Sequence, residues 1–224
     1  MNDTSPDLAS LFDHPQKSLT QKAYDLLLES FMKRQIPSGS VLQERKLADM
    51  LRISRTPVRE ALNRLESEGF VTRKAGRVLV VTELSTRELI ETLHVRQILE
   101  AESVALACGR ISAAELDPLE AAIRAILAAE RPSAEEDWEL DTRFHQGIAQ
   151  TSGNSVLADL IANLRRKTYM FNLHRVPNRF ESGHREHLAI IEALRRQDRE
   201  AARAAIRTHI ENVKQSIIRT LSDI

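Results

Sequence analysis

Cysteine is nearly absent from this sequence. Cys108 is the only one, so no intramolecular disulfide framework can brace the fold. It stands among Val104, Ala105, Leu106 and Ala107, where a buried, inert thiol is expected. Aromatic residues make up only 4% of the chain, while Ala, Leu, Ile, Arg and Glu are plentiful, a balance that favours helices over a β-sandwich. The N-terminus has no basic region followed by an apolar run, so no signal peptide is expected. No apolar stretch approaches membrane-spanning length, which predicts a cytoplasmic protein without a membrane partner. Net charge is lacking too, with 32 Lys and Arg facing 32 Asp and Glu. That balance conceals an uneven distribution. Residues 1–16 carry three acids and no Lys or Arg, and residues 83–224 carry 19 basic against 22 acidic residues. Residues 17–82 carry 13 basic against 7 acidic, an excess of +6 that suits contact with phosphates.

With 224 residues the chain has room for one large domain or two of moderate size. Residues 1–16, polar and acidic with Pro6 and Pro15, read as a mobile tail ahead of the first domain. Ser18 to Arg34 reads as a helix with Ala23, Leu26, Leu27 and Phe31 on its buried side, and residues 36–40 as a turn. From Glu44 to Gly69 the pattern is two helices with a tight break. Leu47, Ala48 and Leu51 give the first an apolar face; Val58, Leu62 and Leu65 give the second its own. Ser54 or Thr56 can cap the second helix, Pro57 is tolerated within its first turn, and Gly69 ends it. Arg55, Thr56 and Arg59 are left at its exposed N-terminal end. Such a pair is either a plain amphipathic hairpin or a helix-turn-helix, in which that end enters the DNA major groove. Phe70–Val81 then reads as two short strands joined at Lys74-Ala75-Gly76, with basic residues at the tip. A helix-turn-helix followed by a basic hairpin is a winged helix.

The residues here carry a specific resemblance. Pro37-Ser-Gly-Ser-Val-Leu-Gln-Glu-Arg-Lys-Leu-Ala48, then Ser54-Arg-Thr-Pro-Val-Arg-Glu-Ala-Leu62 and Leu65-Glu-Ser-Glu-Gly-Phe-Val71, resemble the DNA-binding domain of the GntR family of bacterial transcription regulators, over nearly all of residues 20–81. The resemblance implies that arginines matching Arg45 and Arg55 read bases, with Ser54, Thr56 and Arg59 beside them. It also implies that the wing at Gly76 enters the minor groove; Lys74, a basic residue at the hairpin tip, is expected on the phosphates. The implied partner is double-stranded, palindromic operator DNA bound by a homodimer.

A boundary is expected near Thr82–Ser85, giving a winged helix-turn-helix domain over 17–82 and an all-helical domain over 83–224. Three capping boxes, Ser85…Glu88, Ser112…Glu115 and Ser133…Glu136, start helices at about 86–110, 113–130 and 134–151. Further helices are expected at about 155–173, 183–196 and 199–221, with a turn or irregular helix start over 177–183. The fold class is therefore mainly α: an N-terminal winged helix-turn-helix followed by an all-α six-helix bundle.

Polar residues interrupt the apolar stripes of this half. Asp141 and His145, at i and i+4, share a stripe with Trp138 and Ile148. His187 lies with Ile190, Ile191 and Leu194, and His209 with Ala202, Ala205, Ile206 and Val213. Singly, each histidine has the ordinary reading of a core imidazole bonded to a carbonyl. As a set on three helices they point to one shared metal ion, which removes the cost of burying unpaired titratable groups. Three imidazoles and a carboxylate accept zinc first, and nickel, manganese or iron as well. Arg96 shares a stripe with Leu89, Leu93, Ser103 and Ala107; it is either paired with Glu100 at i+4 or faces an internal cavity. Asn163, between Leu160 and Leu164, is a second pocket candidate. His94, His174 and His184 read as structural or surface residues.

This half resembles the FCD ligand-binding domain of the FadR branch of the GntR family. Asp141-x-x-x-His145 with Phe144 before the His, Glu186-His187-x-x-Ile190 and His209 match the metal-binding version of that domain. Similar domains hold a small organic acid through an arginine in the helix of Arg96, a task suited to guanidinium's bidentate geometry. The expected function is a DNA-binding transcription regulator whose helical domain binds a divalent metal and a carboxylate effector. Two alternatives stand beside it. One is a metal-responsive regulator with the ion itself as effector. The other is a metal-dependent hydrolase, against which stand the wing and the lack of a motif-placed general base.

Overall fold

The computed structural model describes residues 18–130, 132–170 and 179–222. The expected acidic tail, His174 and the start of the 177–183 turn lie outside them. The chain divides into two compact units that meet in sequence between Glu83 and Leu84.

The first unit opens with α1 (Leu19–Met32), whose N-cap Ser18 accepts a 3.1 Å hydrogen bond from the Gln21 N–H. Its buried face is Ala23, Tyr24, Leu27 and Phe31, whereas Leu26, expected inside, is 48% exposed. Tyr24 is buried on that helix for a polar reason: its hydroxyl bonds Glu68, and the Arg64 guanidinium lies 3.9 Å above its ring. Next come α2 (Glu44–Leu51) and α3 (Arg55–Ser67), with Arg52 in the left-handed region at the break. Val58, Ala61, Leu62 and Leu65 are fully buried, and Leu51 is only partly so. Ser54 is the N-cap of α3 but its side chain makes no capping bond. Gly69, at φ 81°, closes α3 with two bonds: its own N–H to Glu66 O at 3.0 Å, and the Phe70 N–H to Leu65 O at 2.8 Å. Phe70 is thereby driven into the core.

Strands β1 (Val71–Lys74) and β2 (Val78–Val81) pair antiparallel, Val71 opposite Val81. Ala75 and Gly76 both take positive φ, 50° and 71°, which turns the tip. The hairpin buries its Val71 and Val81 end and leaves its tip exposed. Val41 adds one bridge to Val80, a contact that no local pattern announced.

Among its described residues the second unit holds six helices: α4 (Thr86–Ala107), α5 (Ala113–Ala128), α6 (Ala134–Thr151), α7 (Ser155–Met170), α8 (Phe180–Arg195) and α9 (Arg199–Ser222). Ser85 and Ser133 make both bonds of the capping box, and the Ser112 N–H donates to Glu115 at 2.8 Å. Helix α8 starts at Phe180, three residues before the expected start. Helix α4 packs against α6, α7 and α9, so it is buried on several sides. The core runs through Leu89, Leu93, Val104, Ile123, Phe144, Ile190 and Ile206. Burial of each such side chain contributes about 1.5–3 kcal/mol. Those contacts fix the inward faces of α4, α6, α8 and α9, the helices that carry the polar set.

Candidate DNA-binding face and metal centre

In the first unit Ser54, Arg55, Thr56 and Arg59 are all exposed at the N-terminal end of α3. Arg45 is exposed on α2; Lys74 and Gly76 are exposed at the hairpin tip. A Cβ at Gly76 would meet nothing, so its glycine answers to the positive φ and not to crowding. Two of these basic side chains rest on acids: Arg55 Nη2 lies 3.3 Å from Glu44 Oε2, and Lys74 Nζ 3.0 Å from Glu83 Oε2. Both pairs are solvent-exposed and contribute little to stability, so phosphate oxygens can replace the carboxylates at small cost.

In the second unit one ligand atom from each of Asp141, His145, His187 and His209 lies within 4.8 Å of the others. Helix α6 supplies the first two, α8 the third and α9 the fourth. His145 Nδ1 is 2.5 Å from Glu100 Oε2. A carboxylate oxygen can only accept, so a proton sits on Nδ1, and the neutral form of the ring then carries its lone pair on Nε2. That Nε2 is buried without a hydrogen-bond partner, 3.5 Å from Asp141 Oδ1. His209 repeats the device: its Nδ1 donates to Glu186 Oε2 at 2.8 Å, and Glu186 is held by Asn212 at 2.8 Å and by Arg179. His187 stacks on Phe144 at 4.2 Å, and neither of its buried nitrogens has a hydrogen-bond partner, although Nε2 lies 3.5 Å from Asp141 Oδ1. Asp141 turns Oδ1 to the histidines and gives Oδ2 to Arg165.

The electrostatics agree with a cation-ready site. Burial, reinforced by the neighbouring imidazoles of His209 and His145, holds His187 well below the ordinary imidazole range. Burial lowers His209 as well, against the opposing pull of Glu186. Burial would raise Asp141, but Arg165 and the histidines outweigh it and keep it a carboxylate. Neutral imidazoles and an ionised carboxylate are the protonation states that bind a metal. The unpartnered Nε2 atoms of His145 and His187, each 3.5 Å from Asp141 Oδ1, are an unmet demand that an ion would satisfy. Glu100 and Glu186 orient the two histidines they touch, as carboxylates behind metal-bound imidazoles do.

A cavity of about 330 Å³ opens onto this set, bordered by Asp141, His187 and His209. Arg96 lines it and is also paired with Glu100, Nε to Oε1 at 2.8 Å, so the two readings of this residue hold together. Its Nη1 donates to Thr168 Oγ1 at 3.1 Å. Asn163 is half-buried on α7 and does not line the cavity. Arg165 and Thr168, on the same helix, do. Their signal was legible, since Arg165 interrupts the apolar stripe of Leu157, Ala158 and Ile161 as Arg96 interrupts its own. His184, expected at the surface or in a structural role, is 2% exposed, lines the cavity and bonds Asp137 Oδ1 through Nε2 at 2.8 Å. It sits one turn before His187 on α8. His94 is exposed, as expected.

Comparison with known proteins bears on both units. The family described as bacterial regulatory proteins, gntR family, matches residues 19–81, and the FCD domain family matches residues 91–212. The Nta operon transcriptional regulator of Aminobacter aminovorans is 31% identical over 177 residues, 77% of this chain and 82% of that one. The HTH-type transcriptional repressor RspR of Escherichia coli (strain K12) is 28% identical over 209 residues, 91% of each chain. The solved structure of E. coli McbR/YncC shares the fold at TM-score 0.78 and 24% identity, over 90% of this chain and 98% of the other. No helix among the described residues is long and apolar enough to cross a membrane.

Proposed function

The chain belongs to the gntR family of bacterial DNA-binding transcription regulators, in its FCD-bearing form, and from that premise we propose that its helical unit is a metal-dependent sensor of a small organic acid. Asp141, His145, His187 and His209 hold one divalent ion, zinc first, with nickel, manganese or iron accepted by the same donors. The observation that carries this is the pair of buried Nε2 atoms, of His145 and His187, that lack hydrogen-bond partners and lie 3.5 Å from Asp141 Oδ1, with a ligand atom of His209 in the same group. When bound, the ion supplies a positive charge and open coordination positions for a carboxylate. Arg96, already at the cavity wall, meets the remaining charge of the acid. The cavity beside the ligands favours a small-molecule effector over the ion acting alone, because an ion sensor has no need of that space.

The winged unit reads operator DNA through Arg45, Arg55 and Arg59, with Ser54 and Thr56 beside them and Lys74 and Gly76 at the wing. Binding is by a homodimer on a palindromic site in the cytoplasm. Val95 and Ile98 of α4 and Val156 and Leu160 of α7 are large apolar side chains left exposed on two helices that pack together, an area that a second copy would cover. The acid changes operator affinity by its differential affinity for the two states of the dimer, a coupling of about 1–3 kcal/mol.

The test is an operator titration of metal-loaded protein by fluorescence anisotropy, with and without a panel of carboxylic acids, paired with metal analysis of the purified chain. One ion per chain and an acid-dependent shift in operator affinity are expected. A His187→Ala, His209→Ala variant that retains full metal content would reject the metal assignment. An Arg96→Lys variant that responds to the acid as the wild type does would remove Arg96 from the effector site.

A further inference from the structure

The cavity that meets the metal set is also lined by rings. Trp138 and Tyr169 lie with centroids 3.8 Å apart and planes 30° from parallel, and both border the cavity, as does Phe180. Ala134 and Val213 complete this apolar wall. The acid-reading groups stand beside it. Trp138 precedes Asp141 by one turn of α6, and the Arg165 guanidinium, which holds Asp141, lies 5.6 Å from the Trp138 ring. Tyr169 follows Thr168, whose hydroxyl accepts from Arg96.

We propose that the effector is an aryl carboxylic acid, or an acid with a comparably flat apolar body, its carboxylate at the metal set and its ring against Trp138 and Tyr169. This rests on the reading above that the cavity is the effector site. Two features favour this class over a polyhydroxylated sugar acid. The first is the ring pair itself, a face that stacks with another aromatic plane. The second is that Thr168, Asp137 and Arg179, three polar groups of this cavity, already hold partners within the protein. Thr168 accepts from Arg96 and donates to Arg165 O at 2.8 Å; Asp137 accepts from His184; Arg179 is tied to Glu186. Each hydroxyl that enters such a wall without a partner weakens binding by about tenfold. A volume of about 330 Å³ lies at the small end of the roughly 300–1,000 Å³ of ligand pockets, which suits one ring with a short acid arm.

The chain supplies its own probe, because Trp138 is its single tryptophan and lies in the cavity wall. Zinc-loaded, full-length protein is titrated calorimetrically with phenylacetate, benzoate, lactate, gluconate and glucuronate, and Trp138 fluorescence is followed in parallel. The aryl acids are expected to change the Trp138 emission and to bind at least about tenfold more tightly than either sugar acid. Trp138→Ala is expected to weaken phenylacetate by about tenfold, with Trp138→Phe restoring it; metal content, measured on both, shows that the metal set is intact. If gluconate or lactate binds as tightly as phenylacetate, or Trp138→Ala binds phenylacetate as the wild type does, the aryl class is wrong while the carboxylate site stands. If none of the five acids binds the zinc-loaded protein, the effector reading of the cavity fails together with this inference.

Discussion

The arginines of the winged unit and those of the helical unit carry the same charge and meet opposite problems. Arg55 is 68% exposed, and its carboxylate partner Glu44 is one that water and salt readily replace. Arg96 is 8% exposed on its side chain, bound to a Glu100 that is 4% exposed, and Glu100 in turn holds His145. The exposed arginine is free to exchange one anion for another, which is what its proposed role on DNA requires. The buried arginine is committed to one geometry, which is what its proposed role toward a small acid requires. Burial raises what each interaction is worth and also what its loss costs, so substitutions in the two units should separate into stability effects and binding effects.

The sharpest break of that contrast is Arg96→Ala. It strips a buried carboxylate of its cation and should cost about 3–5 kcal/mol of folding free energy, read from urea unfolding of the metal-free protein. A cost under about 1 kcal/mol would mean that Glu100 is satisfied by His145 alone. Arg55→Ala, by contrast, should shift stability by less than about 0.5 kcal/mol.

Next in size is removal of the ion. At a free concentration about 100-fold above Kd, a metal stabilises the fold by about 2.7 kcal/mol, so a chelator should lower Tm in the wild type and leave the His187→Ala, His209→Ala variant unmoved. Acid should erode the same stabilisation. His187 and His209 are held below the ordinary imidazole value of about 6.5, so below that pH the unfolded chain binds protons that the folded chain refuses. The metal-free protein therefore loses stability as pH drops through that value, and these groups cost nothing above it. Asp141 and Glu186, lowered in the fold, add a second loss below the ordinary carboxylate range of about 4. Thermal melts from about pH 8 to pH 3, with and without chelator, check both the sign and the two windows.

Arg55→Ala should cost about 1–3 kcal/mol of operator binding and relax preference at the base it reads, measured against single-base operator variants. An unchanged preference would displace α3 from its reading role. The smallest effect belongs to the wing: Lys74→Ala should weaken operator and unrelated DNA alike and reduce the slope of log K against log salt by about 0.9.

The winged unit was largely legible because its determinants are local. Val58, Leu62 and Leu65 repeat at helical spacing, Gly69 closes α3 through bonds to Glu66 and Leu65, and positive φ at Ala75 and Gly76 turns the hairpin between neighbouring residues. The exceptions there are long-range: Tyr24 replaces Leu26 on the buried face through Glu68 and Arg64, far along the chain. In the helical unit the capping boxes and the four candidate ligands could be read in the same way, since Asp141 and His145 lie one turn apart and each histidine falls on an apolar stripe.

By itself, then, the sequence determined which residues form helices, where most of them start, and that Asp141, His145, His187, His209 and Arg96 turn inward, because caps and stripes operate over three or four residues. Only the tertiary structure decided what those inward groups meet. Glu100 reaches His145 across 45 positions, Arg165 reaches Asp141 across 24, and Arg96 reaches Thr168 across 72. No spacing along one helix announces such pairs, since they depend on which helices lie side by side. That choice is made by the summed burial of Leu93, Phe144, Ile190 and Ile206, a quantity without a local signature. The same packing decided between the structural and surface readings of His184 by burying it at the cavity wall and left Asn163 off that wall, because a residue's stripe gives its direction and only the neighbouring helix gives its surroundings.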